Sequence, residues 1–211
     1  MRILIGCNKS GREAMAMTAK GHEVWTCDTE PAEYEGNHIQ DDVLNHLDDG
    51  WDMAIFNPPC DYLANSGVRW LHFDGKILLS RMEKVWEASD FFNALLNAPI
   101  PLMCIENPIQ HKYARQFIRK YDQIVQPHYF GDRESKATCL WLVNLPKLVR
   151  THWIPKEEIK QSVWREPPGG KRKDNRSRTP QGLAKAMANQ WVSPRGKGVE
   201  KRWLLSKKPE G

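Results

Sequence analysis

Four short apolar runs, each cut off by small, polar or proline residues, constrain this chain more than any other feature. Arg2–Gly6, His22–Cys27, Trp51–Phe56 and Leu102–Ile105 are rich in branched and aromatic side chains, which predicts buried strands. Between them, Arg12–Lys20 carries Ala and Met at helical spacing and stops at Gly21, with Ser10 expected as its cap. From Gly75 to Asn97 the residues Ile77, Leu78, Met82, Val85, Trp86, Phe92 and Leu95 fall on one helix face. Strand and helix therefore alternate, the pattern of an open, mostly parallel α/β sheet covered on both faces. Further on, the sequence predicts a brief extended piece at 38–42, a helical turn at 43–47, a helix over His111–Arg119, strands over 123–126 and 137–143, and a helix over Pro180–Trp191.

Sheets of this kind bind ligands at the carboxyl ends of their strands, and the chemically interesting segments all fall there. The first is the small-residue loop Gly6-Cys7-Asn8-Lys9-Ser10-Gly11, where a cofactor can approach the backbone and a helix amino terminus. Asp28 ends the second run and suits the ribose hydroxyls of an adenosine-type cofactor. The third run stops at Asn57-Pro58-Pro59-Cys60, where two prolines stiffen the exit and pin the cysteine. Cys7, Cys27, Cys104 and Cys139 lie in or beside apolar runs and read as structural, whereas Cys60 stands in a polar loop and is the candidate nucleophile. The fourth run stops at Glu106-Asn107-Pro108, which brings a carboxylate to the same rim. A thiolate and a carboxyl group suit a pyrimidine: addition to carbon 6 makes carbon 5 nucleophilic, and a hydrogen bond to nitrogen 3 stabilises the charge that develops. The long loop over 61–74 is expected to act as a lid.

The net charge of +5 hides a division. Residues 1–110 hold 8 Lys and Arg against 17 Asp and Glu, a net of −9, and residues 111–211 carry the balancing +14. A basic half points to a polyanionic partner. No apolar run reaches the ~18 residues of a membrane span, and the amino terminus turns polar too early for a signal peptide. Five scattered cysteines without a Cys-x-x-Cys pair argue against a disulfide scaffold and a zinc site, so a cytoplasmic monomer without metal is expected.

With these residues in view, the chain resembles the S-adenosylmethionine-dependent DNA cytosine carbon-5 methyltransferases, and among them the short, mostly phage-encoded members. Pro59-Cys60 is similar to the family's nucleophile motif, and Glu106-Asn107 to its Glu-Asn-Val motif, with Pro108 in third place. Ile5–Gly11 resembles a degraded Phe-x-Gly-x-Gly cofactor loop, Asp28 the acid after the second strand, and Asp42-Val43 the pair that borders the adenine ring. Phe130–Lys136 resembles the Gln-x-Arg-x-Arg region, and Arg178–Ala184 the closing motif whose helix packs beside the first strand. The resemblance implies a Rossmann-like class I methyltransferase sheet, mostly parallel with a C-terminal antiparallel strand and helices on both faces. It implies S-adenosylmethionine held by Gly6, Cys7, Ser10, Gly11, Asp28, Asp42, Val43, Asn57 and Pro58. It implies catalysis by Cys60, Glu106, Asn107 and Lys136, and DNA contacts from Arg69, Arg165, Arg172, Arg176 and Arg178.

Residues 1–146 are thus expected to form the catalytic domain and 147–178 a short basic segment in the place of target recognition. A closing helix over 179–192 and a basic, mobile tail over 193–211 complete the chain. So little recognition sequence suggests short or relaxed target preference, with the base flipped or already unpaired. Two other readings remain open. Asn57-Pro58-Pro59 could serve methylation of an exocyclic amino group, although Cys60 replaces the usual aromatic. Alternatively, the chain could be a nucleic-acid-binding module with a decayed cofactor site.

Overall fold

The computed structural model describes residues 1–160 and 177–192. Its strands are β1 (Arg2–Gly6), β2 (Glu23–Asp28), β3 (Asn37–Gln40), β4 (Met53–Phe56), β5 (His72–Phe73), β6 (Lys76–Ile77), β7 (Leu102–Pro108), β8 (Gln123–Val125) and β9 (Thr138–Val143). The α-helices are α1 (Arg12–Thr18), α2 (Leu79–Leu96) and α3 (Gln181–Trp191). Seven strands form one sheet in the order β3-β2-β1-β4-β7-β9-β8, with β5 and β6 a separate hairpin. Every neighbouring pair in the sheet is parallel except the two pairs made by β9. The expected fold class is therefore the observed one, with β9 as the reversed strand.

Alternation along the strands sends side chains to opposite faces. Leu4, Ala54, Phe56, Met103, Ile105 and Trp141 pack with Val85, Phe92 and Leu95 of α2. Ile3, Ile5, Met53, Ile55, Cys104 and Leu140 pack with Ala14 and Met17 of α1 and Leu183 and Met187 of α3. Both faces are covered, which is why β1 and β4 read as unbroken apolar runs. Trp191 donates its indole N–H to the Pro146 carbonyl at 2.9 Å, fixing the end of α3.

Four local expectations change. β7 does not stop at Ile105. It runs on through Glu106, Asn107 and Pro108, because these pair with Leu140, Cys139 and Thr138 of β9. The α2 helix starts at Leu79 rather than Gly75. Asp74 and Gly75 both have positive φ (49° and 72°) and turn the β5–β6 hairpin instead. Over 111–119 there is a single 3-10 turn, Ala114–Gln116, because the chain bends back so that the Arg119 carbonyl accepts the Trp141 indole N–H at 2.7 Å. Ser10 does not cap α1: its hydroxyl donates to Asn8 Oδ1, and Gly11 occupies the cap position in the left-handed region.

Gly11 combines a φ of 66° with a close neighbour, since a Cβ there would lie 2.3 Å from the Tyr34 ring. Gly11→Ala is expected to lower stability by about 2 kcal/mol in chemical denaturation, through backbone strain and overpacking together.

Candidate active site

The carboxyl rim of the sheet holds a polar network that starts at Asn57, the first residue beyond β4. Its amide nitrogen donates to Glu106 Oε2 at 3.0 Å, Glu13 Oε1 at 3.3 Å and Thr179 Oγ1 at 3.4 Å. Its Oδ1 accepts from Asn8 Nδ2 at 3.1 Å, and Asn8 Nδ2 donates also to Glu13 Oε2 at 3.1 Å. The Thr179 hydroxyl donates to Glu13 Oε1, and Arg12 Nη1 donates to the Thr179 carbonyl at 2.8 Å. One set of bonds thus joins the loop after β1, α1, β4, β7 and the segment before α3. Glu13 is fully buried (0%) and Glu106 nearly so (5%), and buried polar groups persist only when bonded in this way. Burial pushes the Glu13 carboxyl above the usual range; hydrogen bonds from Thr179 and Asn8 oppose this, and the nearby Glu106 adds to it.

Cys60 follows the two prolines, and its carbonyl accepts from the Leu63 and Ala64 amides at 3.1 and 2.9 Å. Asn107 Nδ2 donates to the Pro58 carbonyl at 2.9 Å, tying β7 to the backbone that carries Cys60. Asn107 Oδ1 is buried without a hydrogen-bond partner. Burial pushes the Cys60 thiol up, Asp61 and Glu106 push it further, and Lys136 opposes them. Cys60, Glu106 and Lys136 thus act on one another electrostatically. Lys136 Nζ donates to the Arg178 carbonyl at 3.3 Å. Cys104 and Cys139 are buried in the core, Cys139 with its thiol pushed up to about 12, as expected of structural cysteines.

The segment after Cys60 is stapled to the segment after β7. His111 Nε2 donates to the Tyr62 carbonyl at 2.8 Å and its Nδ1 accepts from the Ala114 amide at 3.0 Å, so the ring is neutral with its proton on Nε2. Burial, with help from Arg115, lowers its pKa, while the bond to Tyr62 opposes this. A depressed imidazole stabilises the fold above its unfolded value near 6.5, and that contribution fades as pH falls below it. Thermal melts are expected to show wild type losing stability between pH 7.5 and 5.5, a loss reduced in His111→Gln.

The other side of the rim carries the residues expected to hold a cofactor. Cys7 has a φ of 56°. Burial pushes its thiol up, and the charges of Asp28, Cys27 and Asp42 add to this. Asp28 Oδ1 accepts the Glu30 amide and Asp42 Oδ1 the Leu44 amide, each at 3.0 Å. Two carboxylates beside a βα loop fit the hydroxyls of a ribose. The glycines of the loop also meet a packing demand. A Cβ on Gly6 would meet Phe56 at 2.5 Å and Val43 at 2.7 Å, and Tyr34 covers Gly11. The close approaches that demand glycine are therefore made by the protein's own side chains. Val43 itself is only 3% exposed and packs in the core.

Of the residues expected to meet nucleic acid, Arg69 lies on the turn Asn65–Leu71 with its guanidinium 4.7 Å from the Trp70 ring centre. Arg178 pairs with Glu33 at 2.6 Å. Arg165, Arg172 and Arg176 lie outside the described residues, as does the tail over 193–211. Among the described residues no three His, Cys, Asp or Glu side chains gather as metal ligands, and no helix is long and apolar enough to cross a membrane.

Sequence reasoning missed Glu13, Thr179 and His111 and saw Asn8 only as part of a turn. Glu13 had a readable signal, a charged residue four positions before Met17 on the buried face of α1.

No protein-family model matches the chain, and no curated protein matches it. Solved structures similar to it include a protein from E. coli assigned as a prophage-encoded DNA modification methyltransferase, with 15% identity and a TM-score of 0.43, over 67% of this chain and 46% of that one. The S. pombe Dnmt2 methyltransferase has 14% identity and a TM-score of 0.43, over 80% of this chain and 56% of that one. A Spodoptera frugiperda DNMT2 variant has 15% identity and a TM-score of 0.40, over 74% and 55%. The chain spans about half the length of these structures. Likeness at this level concerns the fold and says nothing of which residues react.

Proposed function

We propose that the chain methylates carbon 5 of cytosine in DNA, using S-adenosylmethionine and a covalent adduct on Cys60. The observation that carries this reading is the tie between the Cys60 loop and β7 at one rim: the Asn57 side chain donates to Glu106 at 3.0 Å and Asn107 to the Pro58 carbonyl at 2.9 Å, with Lys136 on the approach to β9. The Cys60 thiolate adds to carbon 6 of the ring, forming a carbon–sulfur bond. Glu106, carrying a proton when the base is bound, donates a hydrogen bond to nitrogen 3 and so stabilises the electron pair displaced into the ring, leaving carbon 5 nucleophilic. When bound, the cofactor supplies an electrophilic methyl group; Cys7, Ser10, Asp28 and Asp42 would hold it. After a weak base such as water takes the carbon 5 proton, the carbon–sulfur bond breaks and Cys60 recovers its electron pair. Asn107 acts as a positioning residue through the Pro58 carbonyl, and Asn57 does so through Glu106. Arg69, Arg165, Arg172, Arg176 and Arg178 are proposed to meet the phosphate backbone.

The amino-group reading finds less support. It needs the Asn57 side chain turned to the substrate, and that amide is engaged with Asn8, Glu13, Glu106 and Thr179. Transfer of a labelled methyl group to DNA containing cytosine tests the proposal, with DNA lacking cytosine as control. Label in the first and none in the second is expected; equal label, or none in either, contradicts it. Glu106→Gln is expected to lower that transfer by about a hundredfold or more, with DNA affinity changed far less.

A further inference from the structure

We infer that the DNA enters this site as an unpaired strand, its bases stacking on two exposed tryptophans, Trp70 and Trp153, carried by segments that leave the rim of the sheet where Cys60 lies. The inference rests on the proposed methylation of DNA and names the form of that substrate.

Two features of the surface carry it. Trp70 and Trp153 are 55% and 75% exposed, unusual for so large an apolar ring. Each is backed by a guanidinium: Arg69 stands 4.7 Å from the Trp70 ring centre, and Arg150 5.3 Å from that of Trp153. Arg150 also lies 4.8 Å from the Tyr129 ring centre, so Tyr129, Arg150 and Trp153 form a ladder. A ring with an open face beside a cation matches the two parts of a nucleotide, a base to stack and a phosphate to neutralise.

Both platforms are carried at the carboxyl rim of the sheet. Trp70 follows Cys60 on the segment leaving β4. Trp153 is held at the far side, where the Thr151 and His152 amides donate to the Tyr129 carbonyl at 2.9 and 3.0 Å, just beyond β8. In the order β4-β7-β9-β8 the two exits are three strand spacings apart, about 15 Å. Glu106 and Lys136 belong to β7 and the approach to β9, between them.

Bases inside a duplex present no free face to such platforms, whereas those of a single strand do.

Fluorescence anisotropy with labelled oligonucleotides of one sequence tests this, as single-stranded DNA, duplex DNA and single-stranded RNA. Single-stranded DNA is expected to bind at least about tenfold more tightly than duplex. Trp70→Ala and Trp153→Ala should each weaken it by about tenfold, while Trp153→Phe keeps most of the affinity. Tighter binding of duplex or of RNA, or alanine variants that bind like wild type, overturns the inference. Methyl transfer measured on the same strands separates the two readings. Tryptophan-dependent binding of single strands without transfer would remove the proposed activity alone. Transfer to duplex that ignores both tryptophans would remove this inference alone.

Discussion

Cys60→Ala is expected to abolish methyl transfer, by at least about a thousandfold, while DNA affinity stays within about twofold. The side chain makes a bond that exists only along the reaction path, so its loss falls on the rate and hardly on binding. The surroundings of Cys60 add a second signature. Burial, Asp61 and Glu106 hold its thiol above the ordinary value of 9.0, with Lys136 and a backbone hydrogen bond opposing. The thiolate is the reactive form and is scarce at neutral pH, so kcat/KM should rise with pH across the neutral and mildly alkaline range. A rate that is flat over that range would show that thiol ionisation does not limit addition.

The second large effect is on stability. Asn57→Ala is expected to lower the free energy of unfolding by about 3 kcal/mol, because it strips bonds from buried charged groups. The Asn57 amide stands between Glu13 and Glu106, and Glu106 already pushes the Glu13 carboxyl up. A carboxyl whose folded pKa is raised binds its proton more tightly in the folded state. Its stabilising contribution is complete below the ordinary value of 4.5 and is lost as pH rises through the folded value. Without the bridging amide the two carboxylates face each other directly, so the deficit of the variant should grow with pH. Urea denaturation at pH 5 and pH 8 checks this; an equal deficit at both would assign the loss to packing alone.

The parts of the fold that were readable in the sequence are those fixed by local pattern. β1 and β4 are continuous apolar runs because helices cover both faces of the sheet, and α3 shows its buried stripe at Leu183, Met187 and Trp191. The extension of β7 through Glu106 and Asn107 was hidden. Those polar residues are strand only because β9, some thirty residues later, pairs with them. The β5–β6 hairpin was readable in principle, since Asp74-Gly75 is a favoured pair for a tight turn, but the apolar residues beyond it also fit a helix face.

The site divides in the same way. Cys60 follows the exit of β4 and Glu106 ends the apolar part of β7, so both could be named from sequence. Glu13, Asn8 and Thr179 are joined to Asn57 by contacts across up to 122 residues of chain, which no local pattern reports. The glycines of the first loop have a packing reason that the sequence does not show. Close approach does require them, but the approaching groups are Phe56, Val43 and Tyr34.

The most direct measurement is trapping of the covalent adduct with single-stranded DNA carrying 5-fluorocytosine, in which carbon 5 bears no proton to remove. With S-adenosylmethionine present, wild type should give a denaturant-stable species of protein plus oligonucleotide, and Cys60→Ala should give none. Absence of that species from wild type while ordinary DNA is methylated, or its formation by Cys60→Ala, would contradict attack by Cys60 on the pyrimidine ring.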